Sequence, residues 1–278
     1  MVQRVAPTLT RTFRFINRSG IWDLALIVVA FLFYYLVRGA VVERAPEATS
    51  RAIRLVELEQ KLGVFWEGQL QSWAMSSEML IRSANWIYVY AHFPLIAGIG
   101  LGLFFFQRKR YILYRNAFLI SGGIGLIFFN WLPMAPPRLL PWPYGLVDTM
   151  AAFSRVNYDM QPAAFVNHYG AMPSVHFAWN LLLGMAVFFG SRNVILRTFG
   201  VVMPLAMAWA IVVTANHFVL DVFFGALVGI FGFAVALAWQ RYSGRLWREF
   251  FSRWLDPLDE LEPAGSQAVR ASKRWGDL

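Results

Sequence analysis

The sequence predicts an all-α integral membrane protein, a six-transmembrane-helix bundle with an amphipathic interfacial helical segment between the first two spans. Three observations predict it. Of 278 residues, 58% are hydrophobic and only 15% charged, against about 25% charge in a soluble domain. The apolar residues fall in runs close to the ~20 needed to cross a bilayer. The basic residues gather in alternate connections. The chain has no cysteine, which excludes a disulfide scaffold, thiol catalysis and thiolate metal sites.

The first span is expected at Trp22–Val42. It begins too deep, runs too long and lacks a small-residue cleavage site, so it reads as a retained helix rather than a signal peptide. The segment Glu43–Arg82 follows, with Leu55, Leu58, Leu62, Phe65 and Trp66 at helical spacing. Arg54, Glu57, Glu59 and Lys61 fill the other face. Two readings stand equally: helices lying in the outer interface with Trp66 and Trp73 at headgroup depth, or a cap packed on the bundle. Spans two and three are Asn85–Phe106 and Tyr114–Pro133. The loop Ala135–Met172 carries Pro136, Pro137, Pro141, Pro143 and Pro162, which disfavour regular elements. Span four, Val175–Gly190, is short and interrupted by Asn180; spans five and six are Val194–Asn216 and Phe218–Gln240. Residues 1–252 thus form one membrane domain, with 43–82 and 135–172 on its outer side. Residues 253–278 form a polar cytoplasmic tail, expected to be partly disordered.

The net charge of +9 invites a nucleic-acid reading, but the positions of the charges argue against one. In this topology 17 of the 25 basic residues lie on one side, among them Arg4, Arg11, Arg108, Lys109, Arg110, Arg192 and most of the tail's cations. That side holds seven carboxylates, and the opposite side has eight basic and nine acidic residues. The positive-inside rule places both termini in the cytoplasm. The surplus is therefore an orientation signal and an attraction to anionic lipid. Arginine outnumbers lysine 22 to 3, a bias common in GC-rich bacterial genomes, so a bacterial plasma (inner) membrane protein is expected.

All four histidines, His92, His168, His176 and His217, fall on or near the outer face of this topology. The sharpest pattern is His217-x3-Asp221 at the outer start of span six. Residues four apart share a helical face. The carboxylate is thus expected to accept from one imidazole nitrogen, leaving the other to attack. A polar clasp between helices would give the same pattern. In Gly170-Ala-Met-Pro-Ser-Val-His176, Pro173 reads as presetting the first helical turn, and Ser174 with free N–H groups reads as an anion site. His176 in that turn is a candidate general acid, although an ordinary helix start fits the segment alone. Arg138, where span three leaves the membrane, suits bidentate phosphate binding or interfacial snorkelling.

Together, Arg138, Pro173-Ser174-x-His176 and His217-x3-Asp221 resemble the three signatures of the type 2 phosphatidic acid phosphatase superfamily. The resemblance spans roughly residues 85–240. It implies a six-helix bundle with its site at the outer membrane face. It implies a phosphohistidine on His217, oriented by Asp221, with His176 protonating the leaving oxygen and Arg138 and Ser174 holding phosphate. It implies no metal and no cofactor. The phosphatase branch has cations where this chain has Trp131 and Ile211, and a proline where it has Leu139. A doubly charged monoester wants those cations, whereas a singly charged diester needs fewer. The chain therefore looks most like bacterial relatives of inositol phosphorylceramide synthases, which move a phosphorylated headgroup from a phospholipid to a lipid alcohol. Asn85-x2-Tyr88-x3-His92 forms a one-faced row, readable as a headgroup-binding strip or as interhelical polar glue. His168 is a further headgroup candidate. The expected partners are a phospholipid donor, a lipid-alcohol or water acceptor and the bilayer, with no nucleic acid. Water as acceptor gives a lipid phosphate or polyprenyl diphosphate phosphatase. A lipid transporter or binding protein is the non-enzymatic alternative, against which no inverted, glycine-broken span pair is seen.

Overall fold

The computed structural model describes residues 44–153 and 168–259, together with residues 20, 23, 25–30 and 32; side chains are described as far as residue 243. Among the described residues there is no strand, only an isolated bridge between Met134 and Gly170. The helices are α1 (Ala45–Leu62), α2 (Glu67–Met75), α3 (Glu78–Trp86), α4 (His92–Phe106), α5 (Arg108–Trp131), α6 (Thr149–Phe153), α7 (Val175–Gly190), α8 (Val194–Val213) and α9 (Val219–Asp259). A π-turn at Ile87–Ala91 joins α3 to α4 without a break.

The protein is an all-helical membrane protein. Among the described residues, four helical stretches are long and apolar enough to cross a bilayer: Glu78–Phe106, Arg108–Trp131, Val194–Val213 and Val219–Ser243. α7 is apolar but shorter. It keeps the expected bounds, because Asn180 turns inward and donates to the His176 carbonyl one turn back instead of breaking the helix. Most of the expected first span lies outside the described residues. Asp23 is described, and it forms ion pairs with Arg108 and Arg115. Asp23 therefore meets the basic connection after α4.

Two boundaries differ from expectation. The second span begins at Glu78 rather than Asn85, since α3 runs through the π-turn into α4. α9 continues to Asp259, beyond the expected end of the sixth span at Gln240. The loop after α5 also holds some regular structure, a 3-10 turn at Pro137–Leu139 and the short helix α6.

The bundle centre is α9 packed on α5 and α7, with α7 also against α8. Small residues permit the close approach. A Cβ at Gly225 of α9 would lie 2.5 Å from the Ser174 carbonyl oxygen, and one at Gly184 of α7 would lie 2.3 Å from the Gly200 carbonyl of α8. Such contacts are the means by which membrane helices gain dispersion energy without a hydrophobic driving force.

Residues 44–77 of the expected outer segment form a cap. α1 buries Ala48, Ala52, Leu55 and Val56 against Met134, Ala135, Leu140, Ala171 and Phe218. Its buried stripe is built from small residues and ends on Glu59, which is fully buried. Leu58, Leu62, Trp66 and Trp73 point outward. The expected leucine stripe is thus only partly inward, and Glu59 does not lie on a solvated face. The exposed leucines and tryptophans suit contact with lipid at headgroup depth. The cap and interfacial readings therefore describe opposite faces of one segment.

Candidate active site

The site is built where the starts of α7 and α9 meet under the cap. α8 ends in a tight turn in which Asn216 N–H and His217 N–H both donate to the Ile211 carbonyl, at 3.1 and 3.0 Å. Ala215 takes a left-handed conformation there, φ 54°, at a cost of order 1 kcal/mol for a residue with a Cβ. Its carbonyl accepts the backbone N–H of Arg138 at 3.1 Å. One turn therefore fixes both the His217 backbone and the Arg138 segment.

His217 is buried, and its Nδ1 lies 2.7 Å from the Ala171 carbonyl oxygen and 3.4 Å from Asp221 Oδ2. A carbonyl can only accept, so Nδ1 carries the hydrogen and the lone pair resides on Nε2. The primary acceptor is thus the Ala171 backbone. Asp221 sits behind it, fully buried, with Oδ2 also accepting Phe218 N–H at 2.9 Å. The expected histidine–aspartate proximity is present, but the carboxylate acts as a nearby charge and a helix cap more than as the sole hydrogen-bond partner.

α7 begins at Val175, two residues later than a Pro173-led helix would, with Ser174 as N-cap and Pro173 outside the helix. Ser174 is fully buried. Its hydroxyl accepts Phe177 N–H at 3.3 Å, and its own N–H donates to the Asp221 carbonyl at 3.1 Å. Ser174 therefore joins α7 to α9, and the expected phosphate contact must come from a hydroxyl that already caps the helix. His176 follows in the first turn. Its ring centroid lies 6.0 Å from that of His217, 4.7 Å from His92 and 4.9 Å from Tyr88.

His92 is almost fully buried. Asn180 Nδ2 lies 2.8 Å from His92 Nδ1 and 2.9 Å from the His176 carbonyl. The carbonyl requires a donor, so Asn180 presents its NH2 group there. His92 Nδ1 must then accept, and Nε2 carries its hydrogen. Asn180 thus fixes His92 and the first turn of α7 together.

The expected strip Asn85–Tyr88–His92 is divided. Tyr88 and His92 contact His176, but Asn85 is buried with both ends of its amide taken by Thr149, donating to its carbonyl and accepting from its hydroxyl, each at 2.8 Å. Asn85 thereby ties α3 to α6. His168 packs its ring near Tyr169, at 6.3 Å.

Arg138 lies in the 3-10 turn with its side chain largely buried and Nε 3.3 Å from Asp148 Oδ2. The other oxygen of Asp148 caps α6, accepting Met150 and Ala151 N–H at 3.0 and 3.1 Å. No local pattern points to this partner, which lies further along the loop. None points to Glu59 and Glu67 either. Both are fully buried, and they accept the backbone N–H groups of Leu220 and Val219, each at 2.7 Å. Burial pushes the Glu59 carboxyl up to about 9, with the neighbouring Glu67 adding to the shift. Burial likewise raises the Glu67 carboxyl.

The family profile described as the PAP2 superfamily matches residues 53–235. That range contains Arg138, Ser174, His176, His217 and Asp221, and most of the cap. Among solved structures, the crystal structure of Aquifex aeolicus LpxE is similar at 18% identity, covering 58% of this chain and 85% of that chain, with a TM-score of 0.41. No curated protein matches the sequence.

Proposed function

Because the chain belongs to the PAP2 superfamily, we propose that it is a membrane lipid phosphotransferase. It moves a phosphorylated headgroup, phosphoinositol being the leading candidate, from a phospholipid to a lipid alcohol. The observation that carries this reading is His217, whose Nδ1–H is held at 2.7 Å by Ala171 while a second histidine ring stands 6.0 Å away.

His217 Nε2 attacks the donor phosphorus. A nitrogen–phosphorus bond forms as the bond to the diacylglycerol oxygen breaks, and His176 gives that oxygen its proton. The His217 ring is positively charged while bonded to phosphorus, and Asp221 offsets that charge at 3.4 Å. His176 then takes the proton of the acceptor hydroxyl, whose oxygen displaces His217. Arg138 binds the non-bridging oxygens. Ser174 contributes chiefly by holding the first turn of α7, where free N–H groups meet the phosphoryl group. Tyr88, His92 and His168 remain the headgroup candidates.

Charge supports a diester donor. Asp148 already offsets part of Arg138. Ile211 is fully buried in an apolar cluster with Phe177 and Met207, and Trp131 is mostly exposed, away from the core. Neither position supplies a second cation to the phosphate. The site faces the extracytoplasmic side of a bacterial inner membrane, with six spans and both termini in the cytoplasm.

The test is incubation of the protein in bilayers with radiolabelled phosphatidylinositol, phosphatidic acid or polyprenyl diphosphate, with and without a lipid alcohol. A labelled lipid product that requires the alcohol supports transfer. Free phosphate released at the same rate without it replaces the reading with a phosphatase.

A further inference from the structure

The start of α9 carries three buried carboxylates on three consecutive backbone N–H groups. Phe218 N–H donates to Asp221, Val219 N–H to Glu67 and Leu220 N–H to Glu59, at 2.9, 2.7 and 2.7 Å. Helix N-termini favour negative charge, and these three groups satisfy donors the helix itself leaves open. Glu59 and Glu67 come from α1 and α2, about 160 and 150 residues earlier in the chain. They are the cap's hydrogen bonds to the short stretch between His217 and Asp221.

The two carboxylates stand on adjacent backbone amides, and Oε2 of each is fully buried with no hydrogen-bond partner. Two carboxylates desolvated on neighbouring amides, each with an unsatisfied oxygen, are relieved when one proton lies between them. Among the described residues, Asp221 of α9 is the further carboxyl group that raises both. We propose that Glu59 and Glu67 are positioning residues that share a single proton and, through the first turn of α9, hold His217 and Asp221 in register for attack. The inference rests on the proposed role of His217. With the proton in place the pair carries one negative charge and bridges α1 to α2 across the helix start. Without it, three like charges lie in one desolvated turn, the pair separates, and the two backbone N–H groups lose their alignment. Burial and the neighbouring carboxylate keep the proton bound through neutral pH, to about 9 at Glu59.

The test uses the full-length protein with Glu59→Ala, Glu67→Ala and Glu59→Gln. A glutamine in place of Glu59 keeps both bonds, its oxygen accepting from Leu220 N–H and its NH2 donating to Glu67, but it holds no titratable proton. The alanine variants are expected to lose about 10- to 100-fold in kcat with little change in KM, as for a small misplacement of a reacting group. Glu59→Gln is expected to rescue turnover at pH 7 and to abolish or move upward the alkaline fall in kcat expected of the wild type near pH 9. Infrared spectra of the substrate-free protein at pH 7.5 should contain a protonated-carboxyl C=O stretch that Glu59→Gln removes. Absence of that band in the wild type, or an unchanged alkaline limb in Glu59→Gln, overturns the proposal. The band is read without substrate. Failure of the wild type to turn over any phospholipid therefore counts against the transferase reading alone.

Discussion

Replacing Asp148 by asparagine should change which phosphate the site prefers. The asparagine can still cap α6, because its side-chain oxygen can accept from Met150 and Ala151 N–H as Asp148 Oδ1 does. What disappears is one negative charge 3.3 Å from Arg138 Nε. A phosphate bound on Arg138 would lie ~5 Å from that charge, and each unit of its own charge would be repelled by about 3 kcal/mol at an effective dielectric of 20. The Asp148 side chain is 29% exposed, so solvent screening reduces the figure to roughly half. A monoester carries about one more negative charge than a diester. Its transition state should therefore gain ~1.5 kcal/mol more from the substitution, about a tenfold change in ratio. The assay is kcat/KM for phosphatidic acid and for phosphatidylinositol in mixed micelles, wild type against Asp148→Asn. The monoester-to-diester ratio should rise about tenfold. A ratio constant within about twofold, or equal loss on both substrates, would refute the charge argument while leaving the fold intact.

Two further predictions concern packing and pH. A Cβ at Gly125 would stand 2.4 Å from Val175 Cγ2, so Gly125→Ala should destabilise by about 1–3 kcal/mol and Val175→Ala should restore most of the loss. Thermal unfolding in detergent checks both, and additive effects in the double variant would count against the contact. The raised Glu59 carboxyl means that the folded protein keeps a proton the unfolded chain has released. Its stabilising contribution is full below pH ~4.5 and declines as pH rises towards about 9, by about 1.4 kcal/mol per pH unit where only the folded state holds the proton. Stability should fall between pH 5.5 and 8.5 in the wild type and fall less in Glu59→Gln, and parallel curves would exclude the linkage.

The parts legible in the sequence were those written in local spacing or composition. His217 and Asp221 share a helix face because they are four apart. α7 keeps its expected bounds, and the apolar runs mark the long spans. What was not legible depends on distant backbone. The Ala171 carbonyl that fixes the His217 tautomer has no side-chain signature, nor do the N–H groups that draw Glu59 and Glu67 inward. Glu59 sits among Arg54, Glu57 and Lys61 and looks solvated; its partner is the amide of Leu220. The α1 stripe misleads for a related reason. Beside a membrane, Leu58 and Leu62 can face outward without penalty, and small alanines make the tight contact instead. The Asn85–Thr149 bonds are not legible either, because Thr149 lies 64 residues further along the chain.

The central claim is that His217 bonds to phosphorus. The direct measurement is rapid-quench trapping of the wild type and His217→Ala with phospholipid labelled at the headgroup phosphate, followed by mapping of the labelled peptide. Acid-labile, base-stable label on the peptide containing His217, absent in the alanine variant and chased into product by a lipid alcohol, is the predicted result. Full turnover by His217→Ala, or label carried on another residue, would contradict it.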